Sequence, residues 1–189
     1  MSVQLIIGLG NPGEQYTNTR HNAGVWFLDA VVREFGGVLK AEKKFLGAVA
    51  TVSVAGTSVR LLAPSTYMND SGRSVAALIK FYQIDPEKVL VAHDELDLEP
   101  GIARIKTGGG LAGHNGLKDI QTVLGSTVYP RLRVGIGDQF TIGNQINYVL
   151  GEWTKEEGLM LQEISVRSQK AVESFCAIGL ERSMNAFNT

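Results

Sequence analysis

Histidine and acidic side chains in this chain stand where strands are predicted to end. His21 lies beyond one apolar run that is typical of a buried strand, and Asp94 ends a second. In α/β folds such strands present polar residues at their carboxyl ends, so the two side chains are candidates to meet there. A histidine oriented by a carboxylate activates water as a general base. We predict this chemistry for His21, with Asp94 as its partner.

Three asparagines also fall at predicted element ends, namely Asn11, Asn69 and Asn115. A side-chain amide at such a position can bind the peptide groups of a substrate or stabilise a developing oxyanion. A single asparagine there is more often a turn or cap residue. The amides therefore point to a site only in combination with the histidine and the carboxylate.

Two glycine-rich segments suggest nucleotide binding but lack the residues it needs. Residues 8–13 read G-L-G-N-P-G and match the dinucleotide fingerprint, which keeps a dinucleotide oxidoreductase open as the weakest alternative. Pro12 removes a main-chain donor, no helix is predicted to start at Gly13, and the acidic residue that would bind the ribose is missing. Residues 108–113 are followed by His114 and Asn115, where a P-loop requires Lys-Ser or Lys-Thr.

Covalent and metal-dependent chemistry are also disfavoured. The chain has no G-x-S-x-G segment, and its one cysteine, Cys176, lies inside a predicted helix. His93 stands beside acidic residues, but the spacing of zinc sites is absent and strand alternation sends His93 and Asp94 to opposite faces. We predict that the protein uses neither a metal nor a cofactor.

Composition is that of an ordinary globular enzyme, with 189 residues, 44% hydrophobic and 20% charged. A single cysteine, no secretory leader and no membrane-length apolar run predict a cytoplasmic protein without a membrane partner. The net charge of −1 disfavours a general polyanion binder but allows a local basic patch. The candidates for such a patch are Lys40, Lys43, Lys44, Arg104, Lys106, Lys118, Arg131 and Arg133.

Apolar periodicity alternates between strand and helix along the chain. This predicts one α/β domain over residues 1–189, with a mixed, mostly parallel twisted sheet flanked by helices on both faces. The predicted helices cover 23–35, 71–82, 115–124 and 156–178, with a short helix ending at 187. The predicted strands cover 3–9, 46–54, 59–62, 89–93, 102–106, 132–136 and 146–150, and the second and third form a hairpin.

Five ordered blocks of residues together resemble bacterial-type peptidyl-tRNA hydrolase. They are residues 8–13 with Tyr16 and 19–24; 67–69 with Ser71 and Gly72; 93–97; 108–110 with 113–118; and 131–137. The resemblance extends over nearly the whole chain, including residues 184–187. It implies a monomeric α/β enzyme that cleaves the ester between a peptide and the terminal ribose of tRNA, without a metal or cofactor.

The resemblance also implies individual roles. His21 corresponds to the catalytic base and Asp94 to its partner, while Asn11, Asn69 and Asn115 correspond to residues that place the peptide, the terminal adenosine or the attacking water. The groove lining corresponds to Tyr16, Tyr67, Met68 and His114. The contacts to tRNA phosphate correspond to Arg104, Lys106 and Arg133.

Two positions depart from the family pattern. Leu111 replaces a small or polar residue, which predicts a stiffer or more apolar glycine loop, and residues 138–140 replace a turn that contains proline.

Plant intron-splicing relatives of the same fold bind RNA without turnover, so a catalytically inactive RNA-binding module remains the alternative. The presence of His21, Asp94 and Asn11 favours the enzyme.

Overall fold

The computed structural model describes residues 3–188. Within them, seven strands and six α-helices form a single α/β domain. In chain order they are β1 (Leu5–Gly8), α1 (Ala23–Phe35), β2 (Lys40–Glu42), β3 (Gly47–Val54), β4 (Thr57–Pro64), α2 (Ser71–Tyr82), β5 (Val89–Glu95), β6 (Ala103–Thr107), α3 (Asn115–Leu124), β7 (Pro130–Gly135), α4 (Gln145–Val149), α5 (Lys155–Ile178) and α6 (Leu180–Phe187).

The strands form one mixed sheet in the order β2-β3-β4-β1-β5-β7-β6. The four central strands, β4, β1, β5 and β7, are parallel. The outer strands β2, β3 and β6 pair antiparallel. The predicted class is therefore confirmed, and the carboxyl ends of the central strands lie together at one edge of the sheet.

Both faces of the sheet are buried, because alternate strand residues enter two separate apolar clusters. Ile6 of β1 packs on the side of α1, α5 and α6, whereas Leu5 and Ile7 pack on the side of α2 and α3. Full burial of such a side chain stabilises the fold by about 1.5–3 kcal/mol. None of the helices in the described part of the chain combines the length and apolar character needed to cross a bilayer.

The predicted hairpin forms between β3 and β4. Ala55 and Gly56 make its two-residue turn, and both have positive φ angles, 48° and 77°. This conformation matches the right-handed twist of the flanking strands. The short edge strand β2, which follows α1 and reads K-A-E, was not predicted because its residues are exposed and show no apolar alternation.

The predicted strand over residues 146–150 is wrong, because this segment forms the short helix α4. Alternating apolar residues suggested a strand, but both edges of β7 are already occupied, by β5 and β6. The main-chain N–H groups instead bond four residues back, from Tyr148 to Asn144 and from Leu150 to Ile146. The segment lies beside the carboxyl edge of the sheet rather than in it.

Close packing of main chains explains the glycines that resembled a nucleotide fingerprint. A Cβ at Gly8 would approach the main chain of Gly24 in α1, and one at Gly10 would approach Val25 and Asn22. Gly13 is followed by the 3₁₀ turn Glu14–Tyr16, and α1 begins only at Ala23, so no α-helix starts at the last glycine as the fingerprint requires. These glycines allow α1 to pack directly on β1 and the turn after it, and the dinucleotide interpretation has no structural support.

Gly24→Ala is expected to destabilise the fold strongly. The added Cβ would collide with the main-chain oxygen of Ala92 and lie 2.6 Å from the main-chain nitrogen of Leu9. We expect the free energy of unfolding to fall by about 3 kcal/mol in urea denaturation. The matched control is Gly158→Ala in α5, where the new methyl group meets open space. That variant should gain about 1 kcal/mol, and equal effects of the two substitutions would contradict the close packing.

Candidate active site

A buried carboxylate at the end of β5 lies between two imidazoles. Asp94 is 4% exposed. Its Oδ1 and Oδ2 lie 3.0 and 2.9 Å from Nδ1 of His21, and Oδ1 lies 2.8 Å from Nε2 of His114. The structure therefore brings together His21 and Asp94 and adds His114 to the same cluster.

The approach of the two histidines follows from the fold. His21 lies in the 3₁₀ turn Arg20–Asn22, directly before α1, and α1 packs closely on β1 and β5 through Gly24. His114 ends the glycine loop 108–113 and caps α3, where its Nδ1 accepts a hydrogen bond from the main-chain N–H of Leu117 at 3.3 Å. Two helices on opposite faces of the sheet thus deliver one imidazole each to Asp94.

These hydrogen bonds fix the tautomers of both neutral rings. The Leu117 N–H requires a lone pair on Nδ1 of His114, so the Nε2–H of that ring donates to Asp94. The Nδ1–H of His21 donates to the same carboxylate, which leaves a lone pair on Nε2 of His21. The hydrogen bonds that the His21 ring makes within residues 3–188 are through Nδ1, to Asp94. An imidazole held in this way is ready to accept a proton from water.

Charge within the cluster shifts the pKa values of its members. Burial alone would lower the pKa of His21, but the charge of Asp94 and its hydrogen bond outweigh that effect and raise the pKa above the usual 6.5. Burial alone would raise the pKa of Asp94, but the two imidazoles hold it well below the usual range. Asp94 is therefore ionised wherever His21 can act as a base.

The same three residues form the candidate metal group of the described chain, with ligand atoms within 4.8 Å of one another. A metal ion between them would need a lone pair on the nitrogen of each ring that faces Asp94. The Leu117 N–H instead places the lone pair of His114 on the opposite side of its ring. The hydrogen-bonded cluster thus presents protons where a metal needs lone pairs, and metal independence stays a prediction.

His93 and Cys176 take no part in base chemistry. The Nδ1–H of His93 donates to the main-chain carbonyl of Asp94, and its ring packs edge-on against that of His114, with 5.1 Å between the ring centres. Complete burial is the largest cause that lowers the pKa of His93, to about 3, so the ring stays neutral. Cys176 is buried in α5, and burial raises its pKa to about 11, which keeps the thiol protonated.

Asn11 is held in a single orientation. Its Oδ1 accepts the main-chain N–H of Met68 at 2.7 Å, so its Nδ2 remains as a donor. The side chain of Asn22 accepts from the main-chain N–H of Asn11 and donates to its carbonyl. Asn22 thus ties Asn11 to the turn that carries His21. No motif in the sequence marks Asn22 for this role, and its position beside His21 is the one signal that could have indicated it.

The remaining residues predicted to contact substrate occupy different environments. Tyr67 is 57% exposed, and its ring meets that of Tyr16 edge-on at 6.4 Å. Asn69 is exposed in the turn before α2, and Asn115 lines the cleft beside His21. Met68 differs, because its side chain is buried in the apolar cluster under the site and its main chain supports Asn11.

The predicted phosphate contacts also differ from one another. Arg104 and Lys106 of β6 lie directly opposite Arg133 and Arg131 of β7, so all four share one face of the sheet. Lys106 is exposed and Arg104 is half-buried, whereas Arg133 forms an ion pair with Glu95 at 2.7 Å. Arg131 is buried and donates to the carbonyls of Gly108 and Gly110. Arg131 is therefore an anchor for the glycine loop rather than part of an exposed patch.

One departure from the family pattern lines the cleft, and the other packs against the helix that forms its wall. Leu111 lines it together with Ile146 and Val149 of α4. Phe140 stacks on Tyr148 at 5.1 Å, and the Tyr148 hydroxyl donates to the carbonyl of Ile136. The changed turn is thus packed against the segment that forms one wall of the cleft.

Asp94→Asn is expected to lower the pKa of His21. Without the carboxylate charge, the effect of burial on His21 is no longer opposed, and the midpoint should fall below 6.5. An NMR titration of the three histidine Cε1–H signals measures this shift, with assignment by His21→Ala. Asp85→Asn removes an exposed carboxylate paired with Lys88 and serves as the control. An unchanged His21 midpoint in Asp94→Asn would contradict the electrostatic coupling.

Comparisons with known proteins identify the family to which this sequence and fold belong. The family model for peptidyl-tRNA hydrolase matches residues 5–189. Peptidyl-tRNA hydrolases of Edwardsiella ictaluri and Serratia proteamaculans are 46% and 44% identical over 189 residues, covering 100% of this chain and 96% of each relative. A crystal structure of peptidyl-tRNA hydrolase from Acinetobacter baumannii superposes with a TM-score of 0.94 at 43% identity, covering 99% of this chain and 95% of that one. The chain belongs to the peptidyl-tRNA hydrolase family.

Proposed function

We propose that this chain hydrolyses the ester bond between a peptide and the terminal ribose of tRNA, releasing free tRNA. The observation that carries the proposal is the His21–Asp94 pair, in which Nδ1 of His21 lies 2.9 Å from the carboxylate and so leaves Nε2 as the proton acceptor. Family membership indicates the substrate class. The pair supplies a base that suits an ester, which is an activated acyl group.

In the proposed mechanism, Nε2 of His21 removes a proton from water as the water oxygen attacks the ester carbonyl. Asp94 holds the ring in the required tautomer and stabilises the imidazolium that forms. As the tetrahedral intermediate collapses, the imidazolium returns the proton to the leaving ribose oxygen. A positioned general base of this kind contributes about 10²–10⁴-fold to the rate.

The asparagines are proposed to bind the substrate on which His21 acts. Asn11 offers the Nδ2 donor that its bond to Met68 leaves free, and Asn115 lies in the cleft at the N-terminus of α3, where partial positive charge gathers. Either amide can donate to a substrate carbonyl or to the oxyanion, at about 10²–10³-fold for an oxyanion donor. Asn69, Tyr16 and Tyr67 extend this polar and aromatic surface for the peptide and the terminal adenosine.

The decisive experiment follows release of N-acetyl-aminoacyl groups from tRNA by the wild-type chain and by His21→Ala. We expect the substitution to lower kcat by about 10²–10⁴-fold while tRNA binding persists. Lys88→Ala, at the opposite end of β5, is the matched control and should retain wild-type turnover.

Light scattering of the same samples should give a molar mass of 20.4 kDa, that of a monomer, since one chain supplies His21, Asp94 and His114.

Each alternative predicts a different result. Tight tRNA binding without ester cleavage by the wild-type chain would favour the inactive RNA-binding module. Normal turnover by His21→Ala would reject the proposed base but not the activity. A mass of twice 20.4 kDa would reject the proposed monomer. We place the activity in the cytoplasm, where tRNA cycles through translation.

Lys106 is proposed to contact tRNA phosphate, because it is exposed and carries no ion pair within residues 3–188. Lys106→Ala should weaken binding of deacylated tRNA and reduce the slope of log affinity against log salt by about 1. Lys88→Ala, whose ammonium pairs with Asp85, should leave the slope unchanged. An affinity that does not vary with salt would contradict recognition through phosphates.

A further inference from the structure

We infer that Arg20 is a positioning residue that holds the His21 turn against the segment forming the opposite wall of the cleft. This inference rests on the proposed function for its kinetic consequence, but its structural content does not. Arg20 immediately precedes His21, and its guanidinium points away from Asp94 toward residues more than a hundred positions later in the chain.

The first contact is a two-point ion pair with Glu157 in the first turn of α5. Nε of Arg20 donates to Oε1 at 3.1 Å and an Nη donates to Oε2 at 2.8 Å. Both side chains are largely buried, 11% and 14% exposed, so solvent screens the pair weakly. A bidentate pair fixes orientation as well as distance, which a single contact does not.

The second contact joins Arg20 to the wall of the cleft. Its guanidinium lies 4.5 Å from the centre of the Tyr148 ring and donates to the Tyr148 carbonyl at 3.3 Å. Tyr148 belongs to α4, whose Ile146 and Val149 line the cleft beside His21. One side chain thus connects the residue next to the base with the opposite side of the site.

Main-chain contacts around Arg20 join the same two segments of the chain, residues 19–20 and residues 148–157. The Arg20 N–H donates to the carbonyl of Gly151, and a Cβ at Gly151 would lie 2.9 Å from an Nη of Arg20. Thr19 forms an isolated bridge with Glu152. Residues 19–20 and 148–157 therefore interlock, and Arg20 provides the side chain that fills the space between them.

Glu157 also caps α5, so stability of the helix can be separated from its contact with Arg20 by a control variant. It is the third residue of α5, and its carboxylate accepts the main-chain N–H of Thr154, while the Thr154 hydroxyl accepts the N–H of Glu157. Thr154→Ala removes half of this capping box without touching Arg20. Glu157→Gln retains a capping side chain but removes the charge that holds the guanidinium. The two substitutions separate stability of α5 from positioning of His21.

The experiment compares Arg20→Gln, Glu157→Gln, their double variant and Thr154→Ala. We expect Arg20→Gln to lower kcat about 10-fold or more with KM within about twofold of wild type, because small displacements of a base are costly. Glu157→Gln should show a smaller loss of the same kind. The double variant should be no slower than Arg20→Gln, since Glu157 acts through Arg20. Thr154→Ala should lower the melting temperature and leave kcat unchanged.

The pKa of His21, measured by NMR, is a readout that a merely structural role would not move. The charged and titratable groups around His21 are Asp94 from β5, His114 at the start of α3, and His93 behind it. Loss of the Arg20 charge by itself would raise the pKa of His21, whereas a loosened His21–Asp94 bond would lower it. We expect the pKa to fall in Arg20→Gln and to stay at the wild-type value in Thr154→Ala.

The outcomes are distinct. Loss of stability in Arg20→Gln with wild-type kcat and an unchanged His21 pKa would overturn the inference, as would a rise in that pKa. If Arg20→Gln does not fold, Glu157→Gln decides by the same two measurements. If the wild-type chain does not cleave the ester, the proposed function fails, and the direction of the His21 pKa change alone decides whether Arg20 positions the ring.

Discussion

A buried carboxylate needs compensation, and the arrangement of this site follows from how Asp94 obtains it. Removing a charge from water costs several kcal/mol unless hydrogen bonds and opposite charge replace the solvent. Asp94 receives an N–H from each of two imidazoles, and these come from elements on opposite faces of the sheet. Helix α1 and helix α3 must both be docked before the carboxylate is satisfied, so the site is completed only when the tertiary structure is.

His114 shows how closely folding and chemistry are linked here. Its ring caps α3 through Nδ1 and supports Asp94 through Nε2, so one side chain serves helix stability and site electrostatics at once. Nδ1 accepts the Leu117 N–H, so the Nε2 side of the ring is the one that faces Asp94. One ring orientation thus serves both the helix and the carboxylate.

Sequence was sufficient for features that depend on local patterns or on the ends of buried strands. The β3–β4 hairpin follows from its turn residues, and the position of Asp94 at the site follows from its place at the end of a buried parallel strand. Sequence patterns could not predict features that depend on contacts between residues far apart in the chain. Alternation over residues 146–150 indicates a strand, yet both sides of the preceding strand β7 are occupied by β5 and β6. Likewise, Arg20 and Glu157 pair although they lie 137 positions apart. Charge type alone could not separate the buried Arg131 from the exposed Lys106, because burial depends on the glycine loop above them.

The close approach of Gly24 to β1 and β5 has a consequence for how the site adapts to its substrate. Where main chain rests directly on main chain, no flexible side chain is present to absorb sliding or rotation of a helix. His21, directly before α1, and Asp94, on β5, are therefore held at a fixed separation by this contact. The glycine loop 108–113 is held differently, because the Arg131 side chain donates to the carbonyls of Gly108 and Gly110. A long side chain can follow a shift of the loop, so this loop can adjust to peptides of different size where α1 cannot.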